Sequence, residues 1–70
     1  MREYISNEVN MLRLKKGSTQ EELADAVGVT RQTVIALEKG NYTPSVQLAL
    51  KLAHYFKVPV EHIFKISYAK

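Results

Sequence analysis

Hydrophobic residues recur three and four positions apart along most of the chain, which is the spacing of one face of an α-helix. The first such segment covers about residues 7–16, with Val9 and Leu12 on its apolar face. Basic side chains fill its last turn, where they favour the negative end of the helix dipole. The pattern therefore predicts a first helix that ends before Gly17, since glycine readily adopts the left-handed conformation that closes a helix.

The next segment, residues 19–40, predicts two short helices joined by a tight turn at Gly28. Thr19 stands three residues before Glu22, the spacing of a capping box in which each side chain binds the backbone N–H of the other residue. Thr30 can cap the following helix with its hydroxyl group. The inward positions at helical spacing are Leu23, Ala24 and Val27 in the first of these helices, and Val34 and Leu37 in the second.

A densely apolar fourth helix is predicted over roughly Val46–Phe56, with Ser45 as its N-cap. A helix with hydrophobic residues on several sides is central to the core or covers an interface. Pro59 suits the first turn of a helix, so a short fifth helix is predicted around residues 60–64.

The end of the chain follows a different period. Residues 64–68 alternate apolar and polar side chains, which is typical of a β-strand. A strand needs a partner, and the N-terminal Glu3, Tyr4 and Ile5 form the segment expected to pair with it. The chain is thus predicted to be an all-α, five-helix domain, to which the terminal segments add a small antiparallel two-stranded sheet.

Seventy residues form one domain, taken as residues 1–70. Ten Lys and Arg residues against seven Asp and Glu give a net charge of +3, which is compatible with a nucleic-acid partner. The lack of cysteine excludes disulfides and thiolate metal sites. No apolar run reaches the roughly 20 residues of a membrane span, and the N-terminus lacks the apolar region of a signal peptide. The expected location is therefore the cytoplasm, with no membrane partner.

The start of the third helix carries side chains suited to reading DNA. If Val34 and Leu37 face the core, Arg31 and Gln32 lie elsewhere on the first turn, the part of a recognition helix that approaches base edges. Arg can donate two hydrogen bonds to guanine, Gln can pair twice with adenine, and Ala36 can touch a thymine methyl group. Solvated first-turn residues are the alternative interpretation, but the preceding helix and glycine turn favour DNA.

The order of these motifs resembles the lambda-repressor/Cro-like helix-turn-helix family over roughly residues 8–64, and in particular its compact stand-alone members. The helix-turn-helix itself would be about residues 19–40. The matching positions are residues 19–24, 27–34, 37–40, 44–45, 48, 52–53, 56, 58–60 and 63–64.

The resemblance implies roles for residues at matching positions. Arg31, Gln32 and Ala36 would read bases, and Arg13 and Glu38 would form an ion pair between the first and third helices. Ala36 departs from the longer polar residue common in relatives, which shifts specificity toward DNA shape. Each backbone-contact residue also has a structural alternative, as a helix former, a cap, a solvated charge or a turn residue. Contacts with the DNA backbone would come from Gln20, Thr30, Thr33, Lys39, Asn41 and Tyr42.

The resemblance also implies a homodimer on double-stranded DNA, with half-sites about one helical turn, roughly 34–36 Å, apart. The dimerisation surface is expected within residues 58–70. The alternative is that the apolar residues of this segment seal the core of the monomer under the terminal sheet. These residues are Val60, Ile63, Phe64, Ile66 and Tyr68.

The sequence does not indicate an enzyme. His54 and His62 fall on different predicted helices, and no metal-binding spacing, phosphate loop or nucleophile motif is present. No cofactor, metal or small-molecule ligand is expected. The sequence therefore predicts a sequence-specific DNA-binding transcriptional regulator, most simply a repressor that binds a near-palindromic operator. The alternative is an antitoxin-like or bridging module that binds another protein and binds DNA only weakly and non-specifically.

Overall fold

Four α-helices and a two-stranded antiparallel sheet form the computed structural model, which describes residues 2–69. The predicted helical fold and terminal sheet are confirmed, and the predicted number of five helices is too high by one. Met1 and Lys70, at the ends of the expected domain and dimerisation segment, lie outside the described residues. In chain order the elements are β1 (Arg2–Asn7), α1 (Val9–Lys16), α2 (Gln20–Val27), α3 (Arg31–Glu38), α4 (Val46–Phe56), a 3₁₀ helix (Val60–His62) and β2 (Phe64–Ala69).

The starts of α2, α3 and α4 are fixed by the hydroxyl side chains predicted to cap them. At α2, Thr19 Oγ1 accepts from the backbone N–H of Glu22 at 3.0 Å, and Glu22 Oε1 accepts from that of Thr19 at 2.8 Å. Thr30 and Ser45 accept from backbone N–H groups in the same way at the starts of α3 and α4. Gly28 closes α2 with φ 75°, a left-handed conformation that is easily adopted by glycine.

The predicted fifth helix is wrong. Val60–His62 forms a single 3₁₀ turn, and Phe64 is already the first residue of β2. Two backbone hydrogen bonds of 2.9 Å, each spanning three residues, hold this turn together. The helix cannot extend further because Phe64 is paired with Asn7 in the sheet, which requires extended backbone.

The first helix begins at Val9 rather than at Asn7, because Asn7 is the last residue of β1. Asn7 Oδ1 accepts from the backbone N–H of Val9 at 3.1 Å, and Asn7 Nδ2 donates to the carbonyl of Leu37 at 2.9 Å. The backbone N–H of Glu8 donates to the carbonyl of Ile63 at 2.8 Å. These bonds fix the sheet against α1 and the end of α3.

A single buried core lies between the helices. Ile63, which was expected at the dimer interface, is completely buried in this core and directly follows the 3₁₀ turn, which contacts α4 and β2. Phe64 is half-buried and packs against the same core. The segment expected to form a dimer surface therefore also seals the monomer. The core residues are Val9, Leu23, Ala24, Val27, Val34, Leu37, Leu48, Leu52 and Ile63.

The two strands, called the ribbon below, pair antiparallel from Arg2 opposite Ala69 to Asn7 opposite Phe64. The pairing joins segments from opposite ends of the described chain. No helix among residues 2–69 combines the length and the apolar composition needed to cross a membrane. Over the same residues, no group of three potential ligand side chains is placed to hold a metal ion.

Candidate nucleic-acid interface

The first turn of α3 presents two polar side chains to solvent. Val34 and Leu37 are each 1% exposed and anchor the helix in the core, whereas Arg31 and Gln32 are exposed. Ala36, one turn further on, is half-buried. A guanidinium and a carboxamide, each able to form two hydrogen bonds with a base edge, thus lie at the accessible end of the helix.

Arg31 shares a concave surface with the start of α2. An open cavity of about 610 Å³ is lined by Arg31, by Thr19, Gln20 and Glu21 at the start of α2, and by residues of α1 and the turn that follows it. The start of a helix favours anions, because its free N–H groups and its dipole are positive there. The structure thereby brings a predicted base-reading residue, Arg31, close to a predicted backbone contact, Gln20.

Gln20 is the first residue of α2, and its side chain is held by a hydrogen bond. Its Nε2 donates to Glu38 Oε1 at 3.1 Å. A carboxamide carries two N–H donors and an acceptor oxygen. Within residues 2–69 the Gln20 side chain uses one donor, so a donor and the acceptor remain for another molecule. The bond to Glu38 orients these groups at the edge of the cavity.

Glu38, at the end of α3, accepts hydrogen bonds from α1 and α2. Arg13 donates through Nε at 2.6 Å and through Nη2 at 3.3 Å, and Asn10 donates through Nδ2 at 3.1 Å. The Arg13 and Glu38 side chains are only 10% and 6% exposed. Arg13 Nη1 also donates to the carbonyl of Ser18 at 2.9 Å. The residues expected to form an ion pair are therefore in contact, inside a larger network.

The network sets the charge state of Glu38. Burial acts to raise its pKa, but the hydrogen bonds from Arg13, Asn10 and Gln20, together with the positive charge of Arg13, outweigh burial and lower the pKa below its ordinary value of 4.5. The hydrogen bond to Glu38 raises the pKa of Arg13 against the opposing effect of burial. Both groups are thus ionised at neutral pH.

Asn10 is the member of this network that the sequence analysis missed. It precedes Arg13 by three residues, so the two side chains lie on the same face of α1. That spacing, combined with an expected Arg13–Glu38 pair, was the signal that could have identified Asn10 as a third partner.

The other residues predicted to contact the DNA backbone form two groups that flank α3. At its start, the hydroxyl oxygens of Thr30 and Thr33 are 3.1 Å apart, and Thr30 Oγ1 accepts from the backbone N–H of Thr33 at 3.2 Å. Beyond its end, Lys39, Asn41 and Tyr42 are exposed. Polar and basic groups are therefore available at both ends of α3.

A helix-turn-helix family model matches residues 9–63 of the chain, which contain all four helices. The chain belongs to this family. The resemblance to Cro-like helix-turn-helix transcriptional regulators is thus confirmed. The matched region includes both α2 and α3, and with them the exposed Arg31 and Gln32 and the buried Arg13–Glu38 pair.

Individual relatives of this helix-turn-helix protein agree with the family match. The uncharacterized HTH-type transcriptional regulator YgzD from Bacillus subtilis is 50% identical over 60 residues, which cover 86% of this chain and 91% of YgzD. The cryptic phage CTXphi transcriptional repressor RstR from Vibrio cholerae is 34% identical over 62 residues, which cover 89% of this chain and 56% of RstR.

A solved structure shares the same fold. The restriction-modification controller protein C.AhdI from Aeromonas hydrophila superposes with a TM-score of 0.72 at 33% sequence identity. The superposition covers 77% of this chain and 82% of C.AhdI. Sequence and structure therefore both relate this chain to regulators with a helix-turn-helix.

Proposed function

We propose that this helix-turn-helix protein is a transcriptional repressor that binds a near-palindromic operator as a homodimer, with α3 in the major groove. The observation that carries the proposal is the exposed pair of Arg31 and Gln32 on a helix anchored by Val34 and Leu37. The names of RstR, a transcriptional repressor, and of C.AhdI, a controller protein, support a regulatory role for a chain of similar sequence.

Occlusion of a promoter is the simplest mechanism for a small dimer bound to DNA. Such a protein acts in the compartment that holds the DNA it regulates. The proposed function therefore assigns it to the cytoplasm, in association with the nucleoid, as a regulator of a prokaryote or a phage.

The bases are assigned to three residues of α3. Arg31 would donate two hydrogen bonds to a guanine and Gln32 would pair twice with an adenine, and each such contact discriminates between bases by about 1–3 kcal/mol. Ala36 would touch a thymine methyl group, and its half-buried position limits it to a small contact. Because only Arg31 and Gln32 would form paired hydrogen bonds with bases in each half-site, part of the specificity would come from the shape and deformability of the operator.

The phosphates are assigned to polar groups on both sides of α3. Glu38 lies between these groups, and an unbalanced carboxylate there would repel the DNA backbone. Its hydrogen bonds from Arg13, Asn10 and Gln20, and the charge of Arg13, balance that negative charge. The proposed backbone contacts are Gln20, Thr30, Thr33, Lys39, Asn41 and Tyr42.

For the dimer interface we assign the face of the ribbon that carries Ile66 and Tyr68. These side chains are 58% and 60% exposed, and Ile5 lies opposite Ile66 on the same face. Burial of this apolar area against a second copy would stabilise a dimer. Val60 and Phe64 are half-buried and would lie at the margin of the interface.

Selection of bound duplexes from a random pool, at about 150 mM salt, tests the proposed function. We expect enrichment of a two-fold symmetric motif whose half-sites are about one helical turn apart. An Arg31→Ala/Gln32→Ala variant serves as the matched control and should not enrich the motif. If the unmodified protein enriches no symmetric motif, the repressor proposal fails, and weak sequence-indifferent binding would favour the antitoxin-like or bridging alternative.

A further inference from the structure

The ribbon has two chemically different faces. Directly opposite residues of antiparallel strands lie on the same face, and residues alternate between faces along each strand. The register therefore places one group of residues together, here called the cationic face: Arg2, Tyr4, Ser6, Lys65, Ser67 and Ala69. The hydroxyl oxygens of Ser6 and Ser67 are 2.9 Å apart, which agrees with their placement on one face.

The cationic face carries two positive charges and no carboxylate. Arg2 and Lys65 are exposed, and Tyr4 is 50% exposed. The acidic residue of the ribbon, Glu3, lies on the opposite face with Ile66 and Tyr68. Within the described ribbon, the positive charges thus lie on one face, and the carboxylate lies on the other face with Ile66 and Tyr68.

The cationic face is adjacent to the loop after α3. A cavity of about 310 Å³ between β1 and this loop is lined by Tyr4 and Ser6 of the cationic face, by Ile5 and Asn7 of the opposite face, and by Lys39 and Gly40. Glu38 also lines this cavity, but its carboxylate accepts hydrogen bonds from α1 and α2. The negative charge at the junction between Lys39 and the ribbon is therefore balanced by the network around Glu38.

The ribbon also has a fixed position relative to α3. Asn7 Nδ2 donates to the carbonyl of Leu37, the penultimate residue of α3, at 2.9 Å. The backbone N–H of Glu8 donates to the carbonyl of Ile63 at 2.8 Å and ties the base of the ribbon to the core. When α3 occupies a groove, the orientation of the cationic face is consequently set as well.

We propose that the cationic face of the ribbon is a second contact with the DNA sugar–phosphate backbone, which extends the contact of Lys39 beyond the bases read by α3. This inference rests on the proposed function, because it takes the loop after α3 to lie against DNA. Arg2 and Lys65 are about four residues apart along the ribbon, roughly 14 Å at 3.4 Å per residue. Duplex DNA carries one charge per about 1.7 Å of its axis, so a cationic face of this length spans several phosphates.

An Arg2→Gln/Lys65→Gln variant tests the proposal. Its affinity for a 30-base-pair mixed-sequence duplex is measured over a range of salt concentrations. Each lost phosphate contact reduces the slope of log affinity against log salt by about 0.9, so we expect a decrease of about 1.8 per protomer. The motif enriched from a random pool should not change, because phosphate contacts carry no sequence information. Circular dichroism checks that the variant is folded.

A Lys15→Gln/Lys57→Asn variant is the matched control, since it removes two positive charges that line neither the cavity beside the ribbon nor the cavity beside Arg31. Lys15 and Lys57 line cavities around Val58, beyond the end of α4, and Asn tolerates the left-handed backbone of Lys57. The control should keep the salt slope of the unmodified protein. The inference is overturned if both double variants have the same slope, or if the ribbon variant changes only the oligomeric state, which would make the cationic face a protein contact.

The two proposals fail in distinguishable ways. If the unmodified protein enriches a symmetric motif but the ribbon variant keeps the original salt slope, only the ribbon inference fails. If no motif is enriched while the slope on mixed-sequence DNA still decreases, the repressor proposal fails and the ribbon contact stands. If the unmodified protein binds neither kind of duplex, both are wrong.

Discussion

Glu38 is the side chain whose structural contacts bear most directly on the proposed DNA interface. It links α1, α2 and α3 through hydrogen bonds from Arg13, Asn10 and Gln20. Removal of one partner of a buried ion pair leaves an uncompensated charge, which typically costs about 3–5 kcal/mol. The orientation of the Gln20 side chain, a proposed phosphate contact, therefore depends on its hydrogen bond to Glu38.

The lowered pKa of Glu38 predicts how stability depends on pH. Because the pKa is lower in the folded state than its ordinary value of 4.5, the ion pair stabilises the fold fully above that value. This contribution is lost as the pH falls from about 4.5 through the folded-state pKa. Urea unfolding followed by circular dichroism between pH 3 and 7 should show the loss.

Glu38→Gln should reduce the free energy of unfolding by about 3 kcal/mol at pH 7, and should weaken its pH dependence below pH 4.5. Glu61→Gln, which replaces an exposed carboxylate on the 3₁₀ turn, is the control and should keep the pH dependence of the unmodified protein. Equal pH dependence in both variants would contradict the assignment to Glu38.

A second prediction at this scale separates base contacts from backbone contacts. Arg31→Ala should relax specificity at one position of each half-site, at a cost of about 1–3 kcal/mol for the preferred sequence. Lys39→Ala should weaken binding to all sequences alike and reduce the salt slope by about 1 per protomer. Competition binding with single-base operator variants at two salt concentrations measures both effects. If the two variants behave identically, the proposed division of roles is wrong.

The sequence could predict pairs of residues, but not the whole network around them. The Arg13–Glu38 pair followed from the family resemblance, and the two residues are indeed in contact. The bonds from Asn10 and Gln20 depend on how α1 and α2 cross the end of α3. Those crossings are set by packing of the whole core. The three-residue spacing of Asn10 and Arg13 places both on one face of α1, but no local pattern indicates that Gln20 reaches Glu38.

Among the secondary-structure elements, the boundaries set by local chemistry were predicted best. Thr19, Thr30 and Ser45 each directly precede a helix and accept a hydrogen bond from the backbone N–H three residues later. The sequence alone therefore places the starts of α2, α3 and α4. The predicted start of α1 and the predicted fifth helix were wrong. Both depend on the pairing of Asn7 with Phe64, residues from opposite ends of the chain.

The capping box at the start of α2 should make a measurable contribution to stability. Thr19→Ala removes the acceptor of the Glu22 backbone N–H and should reduce the free energy of unfolding by about 1 kcal/mol. Thr43→Ala, at an exposed position in the loop before α4, is a matched substitution and should have an effect within about 0.5 kcal/mol. Thermal and urea unfolding measure the difference, and equal destabilisation by the two substitutions would contradict a specific role for the cap.

At the scale of the whole molecule, two of the exposed apolar surfaces of the described chain are candidates for the proposed dimer interface. One is the ribbon face with Ile66 and Tyr68, which are 58% and 60% exposed. The other lies on α4, where Val46 and Leu50 are 77% and 52% exposed one helical turn apart. Hydrophobic spacing alone could not separate them, because exposure depends on which faces the core covers.

The assignment of the dimer to the ribbon predicts different effects for two matched variants. Ile66→Thr/Tyr68→Thr keeps residues that favour a strand but removes apolar area, and should yield monomers at concentrations where the unmodified protein is dimeric. Val46→Gln/Leu50→Gln removes a similar pair from α4 and should leave the dimer intact. Sedimentation velocity over a dilution series measures both. If only the α4 variant dissociates into monomers, the dimer interface is on α4 and the assignment to the ribbon is wrong.

The register of the ribbon also determines how the molecule responds to mechanical tension. Arg2 and Ala69 are opposite each other at its open end, so a force that pulls them apart acts across the strands. Such a force acts on the paired residues of β1 and β2 one pair after another rather than on all pairs together. In a single-molecule pulling experiment, the strands should therefore unzip at low force before the helices unfold. Tension applied at Arg2 and Ala69 would reach α3 only after the sheet had opened.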